Sequence, residues 1–259
     1  MQLGDSQQIR KHRDLSVHIF DTPAALGARA AEDLAAIIKE SIARRDLASI
    51  VVATGNSQLE FMTALRRRDD VEWRKVRVFH MDEYLGMSEQ HPASFRRYIR
   101  EKLTDVVRPR EFFGILGDAP EVAGELRRYT ELLKEYPPDA CVMGIGENGH
   151  LAFNDPPADF TTTETIHVVT LNEACRRQQV GEGHFGTMDE VPEGALSLTV
   201  PALLSAGQVL VVVPEKRKAA AVKAALEGPV TPDCPASLLQ RQPHARLYLD
   251  RESSSLLTM

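Results

Sequence analysis

Cysteine is scarce in this chain. Cys141, Cys175 and Cys234 are the only three among 259 residues, widely separated and never in a CxxC spacing. An odd, scattered set excludes a disulfide framework and points to reduced thiols in the cytosol, so a cytoplasmic location is expected. Cys141 lies in an apolar stretch and reads as core filling rather than as a nucleophile. Long apolar runs are also missing. The longest, around Val209–Val213, suits a buried strand and falls far short of a membrane span. Residues Met1–Lys11 are polar and lack the apolar centre of a signal peptide. No excess of positive charge exists: the formal net charge is −6, which argues against a nucleic-acid surface. Thr54-Gly55-Asn56-Ser57, at a strand-to-helix junction, is not followed by GK[ST] and lacks GxGxxG, so nucleotide binding there has no support. No histidine or cysteine stands at ligand spacing from another candidate, and no metal site is expected. Repeats, low-complexity tracts and linkers are absent too, so residues 1–259 read as one domain.

What is present is an ordinary globular balance, 43% hydrophobic and 26% charged, in a chain long enough to bury a substantial core. Apolar, β-rich runs alternate with helical periodicity. Strands are expected at Ser16–Phe20, Ser49–Ala53, Val76–His80, Ala140–Ile145, Gln208–Val213 and Arg246–Leu249. Thr22-Pro23 is an N-cap followed by proline at the first helical position, and Leu34, Ile37, Ile38 and Ile42 mark the buried face behind it. A second helix carries Phe61, Met62 and Leu65. A third carries Val122, Leu126, Tyr129 and Leu133 and is stopped by Pro137-Pro138. A fourth, Lys216–Leu226, is closed by Gly228. This alternation predicts an α/β fold: a Rossmann-like, three-layer α/β/α arrangement around a mostly parallel central sheet.

Ligands of such sheets bind outside the carboxyl ends of the strands. That rule selects Thr54–Ser57, Asp82-Glu83, Gly144–Asp155 and the segment after Val213. Thr54-Gly55-Asn56-Ser57 is either a plain strand-to-helix turn or an anion cradle built from backbone N–H groups and a helix N-terminus. His80-Met81-Asp82-Glu83-Tyr84 puts two carboxylates at a strand end. Neighbours on a strand face opposite ways, so one of the pair enters the cleft. Partial burial would raise its pKa and suit it to moving a carbon-bound proton; the plainer reading is a helix-capping or salt-bridging pair. Gly144-Ile145-Gly146-Glu147-Asn148-Gly149-His150 has three glycines within six residues, a tight turn after an apolar strand. His150 is a general acid/base at neutral pH, and Asp155 could orient its ring. Lys218, in Pro214-Glu215-Lys216-Arg217-Lys218, either reaches a phosphate or belongs to a solvated face. Arg176-Arg177-Gln178-Gln179 is open to the same two readings.

Taken in this order, the segments resemble the glucosamine-6-phosphate deaminase (isomerase) family, which is related to the 6-phosphogluconolactonases. The likeness rests on Val78-Phe79-His80-Met81-Asp82-Glu83-Tyr84-Leu85-Gly86 with His91-Pro92-Ala93-Ser94, and on Gly144 through Asn154. It also rests on Ala195-Leu196-Ser197-Leu198-Thr199-Val200 and on Lys218-Ala219 running on to Glu227-Gly228. It spans roughly residues 20–250. The resemblance implies conversion of glucosamine 6-phosphate to fructose 6-phosphate and ammonia, without an organic cofactor. It implies that His150 helps open the sugar ring and that Asp82 carries a proton between C2 and C1. Gly55, Asn56, Ser57 and Lys218 would hold the phosphate.

The chain departs from the family pattern in several places. Asn148 stands where Asp is common, Asp155 where Glu is usual, and Thr54-Gly55-Asn56-Ser57 replaces Thr-Gly-Gly-Thr. The arginine expected on the phosphate has no clear match; His184 is the nearest basic group, with Arg176 and Arg177 further upstream. Basic residues of an allosteric site are not evident around Ala158–His167, which implies a non-allosteric member. The expected partner is a small sugar phosphate, with no nucleic acid and no membrane; a homo-oligomer is left open. Two other readings are a lactonase-like hydrolase, in which His150 activates water, and a non-catalytic sugar-phosphate sensor, for which no helix-turn-helix segment is present.

Overall fold

The computed structural model describes residues 8–181, 183 and 185–258. The chain opens with an antiparallel pair, β1 (Gln8–His12) and β2 (Leu15–Phe20). Helix α1 (Pro23–Arg45) follows, its first turn capped by Thr22 Oγ1, which accepts from the Ala25 N–H at 3.2 Å. It stops at Asp46, in the left-handed conformation. The chain continues through β3 (Ala48–Val52), α2 (Leu59–Leu65), β4 (Val76–His80) and β5 (Asp82–Tyr84). Next come α3 (Phe95–Ile99), α4 (Asp105–Val107), β6 (Glu111–Phe113), α5 (Val122–Glu135) and β7 (Ala140–Met143). The last third holds β8 (Ile166–Thr170), α6 (Glu173–Gly181), β9 (Gly194–Leu198), α7 (Val200–Leu204), β10 (Gln208–Val213), α8 (Ala219–Glu227) and β11 (Ala245–Asp250).

Eight strands form the central sheet in the order β1-β2-β11-β10-β7-β3-β4-β6, with every pairing parallel except β1 with β2. Alternate residues of one strand enter different cores. Val51 joins Phe79, Cys141, Met143, Val211 and Leu249 under α5, α7 and α8. Ile50 and Val52 join Val78, Val142, Leu210 and Val212 under α1 and α2. This two-residue alternation makes the sheet the middle of three layers. Cys141 lies wholly within the first core, where burial pushes its thiol well above the ordinary range.

A second, antiparallel sheet of order β5-β9-β8 lies beside the first, and the sequence reading did not anticipate it. Its strands are short, and β5 follows β4 after Met81 alone, so no turn signal separates them. The same reading missed β1 and β6, both edge strands of the large sheet. The helix expected over Lys216–Leu226 begins as one 3-10 turn, Lys216–Lys218, before α8.

The order of the strands fixes where a ligand can sit. From β3 the chain moves outward to β4 and β6; from β7 the large sheet grows the other way, through β10. The β3/β7 boundary is therefore a switch point, with a crevice at the carboxyl ends. The segments leaving β4, β3, β7 and β10, four adjacent strands, are those the sequence analysis selected.

Candidate active site

A cleft with about 630 Å³ of free space, open solvent at its mouth included, lies at this switch point, lined by residues that include Gly55, Asn56, Ser57, Asp82, His150, Gln179 and Lys218. Two of its walls are versions of one turn. After β3, Gly55 takes φ 95° and ψ 167°, its carbonyl accepts from the Gln58 N–H at 3.1 Å, and residues Asn56–Gln58 form one 3-10 turn leading into α2. After β10, Glu215 takes φ 81° and ψ 140°, its carbonyl accepts from the Lys218 N–H at 3.0 Å, and Lys216–Lys218 leads into α8 in the same way. The loops are tied together: Gln58 Nε2 donates to Val212 O at 3.2 Å and to Ser57 Oγ at 3.1 Å. Of the basic run, only Lys218 is buried and lines the cleft. Arg217 instead pairs outside it with Glu147 at 2.9 Å and with Glu215 at 2.5 Å.

Asp82 and Glu83, adjacent on β5, face opposite ways. Glu83 is sealed inside, where it accepts from Ser94 Oγ at 2.8 Å, Phe95 N at 3.1 Å and Arg96 N at 3.0 Å, at the start of α3. Asp82 lines the cleft. Its Oδ1 is buried and has no hydrogen-bond partner among the described residues. Burial, and after it the negative charge of Glu83, pushes the Asp82 carboxyl up to about 8. The pair is thus divided: Glu83 caps α3, and Asp82 faces the cleft.

The turn after β7 is shaped around His150. A Cβ on Gly146 would lie 2.2 Å from the imidazole Cε1 and Nε2, so glycine is the residue that lets the ring lie against the backbone. The Gly146 N–H donates to the His150 carbonyl at 3.0 Å, and Asn148 Oδ1 accepts from the His150 N–H at 3.1 Å. Asp155 Oδ1 lies 3.2 Å from His150 Nδ1; this is ion-pair distance, but the ring N–H is not aligned on the oxygen as a hydrogen bond. Asp155 also accepts from Asn148 Nδ2 at 3.0 Å and from Asn172 Nδ2 at 2.9 Å. Burial tends to push its carboxyl up, but contact with His150 and donation from Asn148 outweigh this and hold it below the ordinary range. The shorter Asp155 side chain therefore does reach the ring. Asn148 and Asp155 lie behind the histidine rather than in the cleft wall.

Arg176 and Arg177, expected as substitutes for a phosphate-gripping arginine, are not brought to the cleft. Arg176 donates from Nη2 to the carbonyls of Met188 at 2.6 Å and Val191 at 3.1 Å, so it holds the following turn. Arg177 pairs with Glu173 one turn back on the surface of α6. His184 lies outside the described residues.

Asn172 was not singled out from sequence, and Gln179 was read only as part of Arg176-Arg177-Gln178-Gln179. Asn172 caps α6, accepting from Cys175 N at 2.8 Å, while its amide holds Asp155. Gln179, three residues after Arg176 on α6, is buried and lines the cleft. No local signal in the sequence separates Gln179 from Arg176. Apolar wall is supplied by Met81, Phe95, Ile145, Ala152 and Phe153. Among the described residues no group of three or more His, Cys, Asp or Glu side chains could hold a metal ion, and no helix is long and apolar enough to cross a membrane.

Fold and site together define a three-layer α/β protein whose cleft, at the strand switch point, sets a buried carboxylate and a histidine beside two helix-opening turns. The family model for glucosamine-6-phosphate isomerases/6-phosphogluconolactonase matches residues 21–249, and the chain belongs to that family. A glucosamine-6-phosphate deaminase of Exiguobacterium sibiricum is 35% identical over 233 residues, covering 88% of this chain and 90% of that one. One of Listeria monocytogenes is 33% identical over 221 residues, covering 85% and 92%. A solved structure of a monomeric glucosamine-6-phosphate deaminase has a TM-score of 0.85 at 31% identity, covering 93% of this chain and 99% of that one. A 6-phosphogluconolactonase from Shewanella baltica has a TM-score of 0.74 at 22% identity over 90% and 96%, a likeness of fold.

Proposed function

We propose that this chain is an enzyme that isomerises and deaminates an amino-hexose 6-phosphate, converting glucosamine 6-phosphate to fructose 6-phosphate and ammonia. The observation that carries the proposal is Asp82: a buried carboxylate, turned into the cleft that His150 also lines, with one oxygen unpartnered among the described residues. The three named relatives above 30% identity, all glucosamine-6-phosphate deaminases, support the same reading.

In this proposal the phosphate sits on the turn of Gly55, Asn56 and Ser57, with Lys218 supplying the cation. His150, oriented by Asp155, moves the proton from the anomeric hydroxyl to the ring oxygen and opens the ring. Ionised Asp82 then takes the proton from C2. The C2–H electron pair forms a C1–C2 double bond, and the aldehyde oxygen becomes an enol by taking a proton from the C2 ammonium, which leaves an enamine. Asp82 returns its proton to C1, leaving an imine at C2. Water adds to that carbon and ammonia departs, giving the ketone. One carboxylate serves both carbons because the fixed phosphate holds them within its reach.

We further propose that the whole chain acts as one unit, and that it works in the cytoplasm, where its three cysteine thiols would stay reduced. An ammonia-release assay on glucosamine 6-phosphate and galactosamine 6-phosphate, with 6-phosphogluconolactone hydrolysis alongside, tests the activity. Ammonia from an amino-sugar phosphate, with deuterium from solvent entering C1, is the expected result. Lactone hydrolysis without ammonia, or tight binding without turnover, would reject it.

A further inference from the structure

Gln179 has a geometry that packing alone does not require. Its side chain comes from α6, is 6% exposed and lines the cleft. Its Oε1 accepts from the Tyr84 hydroxyl at 2.6 Å. Tyr84 is itself rigid: it is fully buried, with ring centroids 4.9 Å from Phe95, 5.4 Å from Phe153 and 5.3 Å from Phe185. It stands two residues after Asp82 on β5, where the two-residue period sends both side chains to the same face, roughly 7 Å apart along the strand.

With its oxygen occupied by the phenol, the amide of Gln179 has only its NH₂ group left to offer. Among the described residues that group makes no hydrogen bond, and an amide N–H in a mostly buried place needs an acceptor. The cleft also has an imbalance that such a donor would address. Among the described residues Lys218 is the only Lys or Arg in its lining, against a ligand expected to carry a phosphate dianion and several hydroxyl oxygens.

We infer that Gln179 is a substrate-contacting residue, its amide N–H groups donating to an oxygen of the bound sugar phosphate, and that Tyr84 is the positioning residue that turns this end of the amide toward the cleft. The inference rests on the sugar-phosphate part of the proposed function but not on the deamination step. Gln179 thereby supplies neutral donors where Arg176 and Arg177, on the same helix, are committed elsewhere.

The test is calorimetric binding of fructose 6-phosphate and of inorganic phosphate to wild type, Gln179→Leu, Gln179→Glu, Tyr84→Phe and the double variant Tyr84→Phe/Gln179→Leu, with steady-state kinetics alongside. Gln179→Leu should weaken fructose 6-phosphate binding about tenfold and raise KM more than it lowers kcat. Gln179→Glu, which still accepts from Tyr84 but offers the ligand a carboxylate, should weaken it further. Tyr84→Phe alone should cost about threefold, and nothing further in the double variant, because it acts through Gln179. If inorganic phosphate weakens in parallel, the contact is to the phosphate; if only fructose 6-phosphate weakens, it is to a sugar hydroxyl. Binding by Gln179→Leu within twofold of wild type overturns the inference, as does a Tyr84→Phe effect that persists in the double variant. Should Gln179→Leu fail to fold, Gln179→Glu carries the test, and wild-type affinity in it is equally fatal. A wild type that binds fructose 6-phosphate but releases no ammonia removes the deaminase reading and leaves this one standing; a wild type that does not bind it removes both.

Discussion

Gly55 and Glu215 hold the same place in two copies of one turn, one after β3 and one after β10, both at positive φ. Glycine accepts that conformation without cost; glutamate does not. The Glu215 N–H is fixed by Asp250 Oδ2 at 3.0 Å, so the turn is imposed by its surroundings rather than by its own side chain. Replacing Glu215 with Gly should raise stability by about 1 kcal/mol, net of the lost Arg217 contact, and Glu215→Val should lower it. Thermal unfolding of the two variants decides this; equal melting temperatures would show that the turn stores no strain.

Asp82→Asn should reduce ammonia release about a thousandfold, the middle of the range for a lost general base, while leaving fructose 6-phosphate binding nearly intact. For wild type, kcat/KM should rise with pH to a plateau above about 8, because the free enzyme's carboxyl, pushed up to about 8, must ionise to act. A flat profile between pH 6 and 9 would assign the proton transfer elsewhere.

The same carboxyl makes a prediction about stability. Its folded pKa lies above its ordinary value of 3.8. Between the two values the folded chain keeps a proton that the unfolded chain has released, so stability falls as pH rises through this window, and the full penalty applies above about 8. Asp82→Asn removes that penalty. Its melting temperature should exceed that of wild type by a margin that widens from about pH 5 to about pH 9, and a constant margin would contradict the burial argument.

Gly146→Ala sets a methyl group against the His150 ring. It should cut kcat/KM by at least about a hundredfold through displacement of the imidazole, with a smaller loss on Gly55→Ala, whose added Cβ meets nothing within 4 Å. Steady-state kinetics of both variants, with circular dichroism to confirm folding, make the comparison. Comparable losses would mean that backbone conformation, rather than the clash with the ring, dominates.

Asn172 connects the cap of α6 to the carboxylate behind His150. Asn172→Ala should lower kcat about tenfold and shift the pH profile, since Asp155 loses one of its two amide donors. Asp155→Asn should lower it more and shift the profile further. A loss on Asn172→Ala confined to melting temperature would reduce Asn172 to a helix cap.

Much of this was readable in the sequence, for identifiable reasons. The central strands Val76–His80 and Gln208–Val213 carry continuous apolar runs because both faces are covered, and their ends come where expected. The four segments bearing the cleft residues follow from the rule for parallel sheets. The opposite orientations of Asp82 and Glu83 follow from the strand period. What could not be read is what depends on distant pairing. Strand β5 has three residues, and its partner β9 is more than a hundred residues away, so no local pattern declares the small sheet. Arg176 and Gln179 share a helix, yet one is pinned to carbonyls at 188 and 191 while the other meets Tyr84. Only the folded chain distinguishes them.

Met81 is the one residue between β4 of the large sheet and β5 of the small one, so Asp82 is mounted at the hinge line where two hydrogen-bonded frameworks meet. Its short side chain has little freedom to search, and its reach is set by main chain anchored on both sides. Relatives that handle different sugars could therefore reshape the walls, at α6 or at the two helix-opening turns, while the proton carrier stays where the sheets hold it.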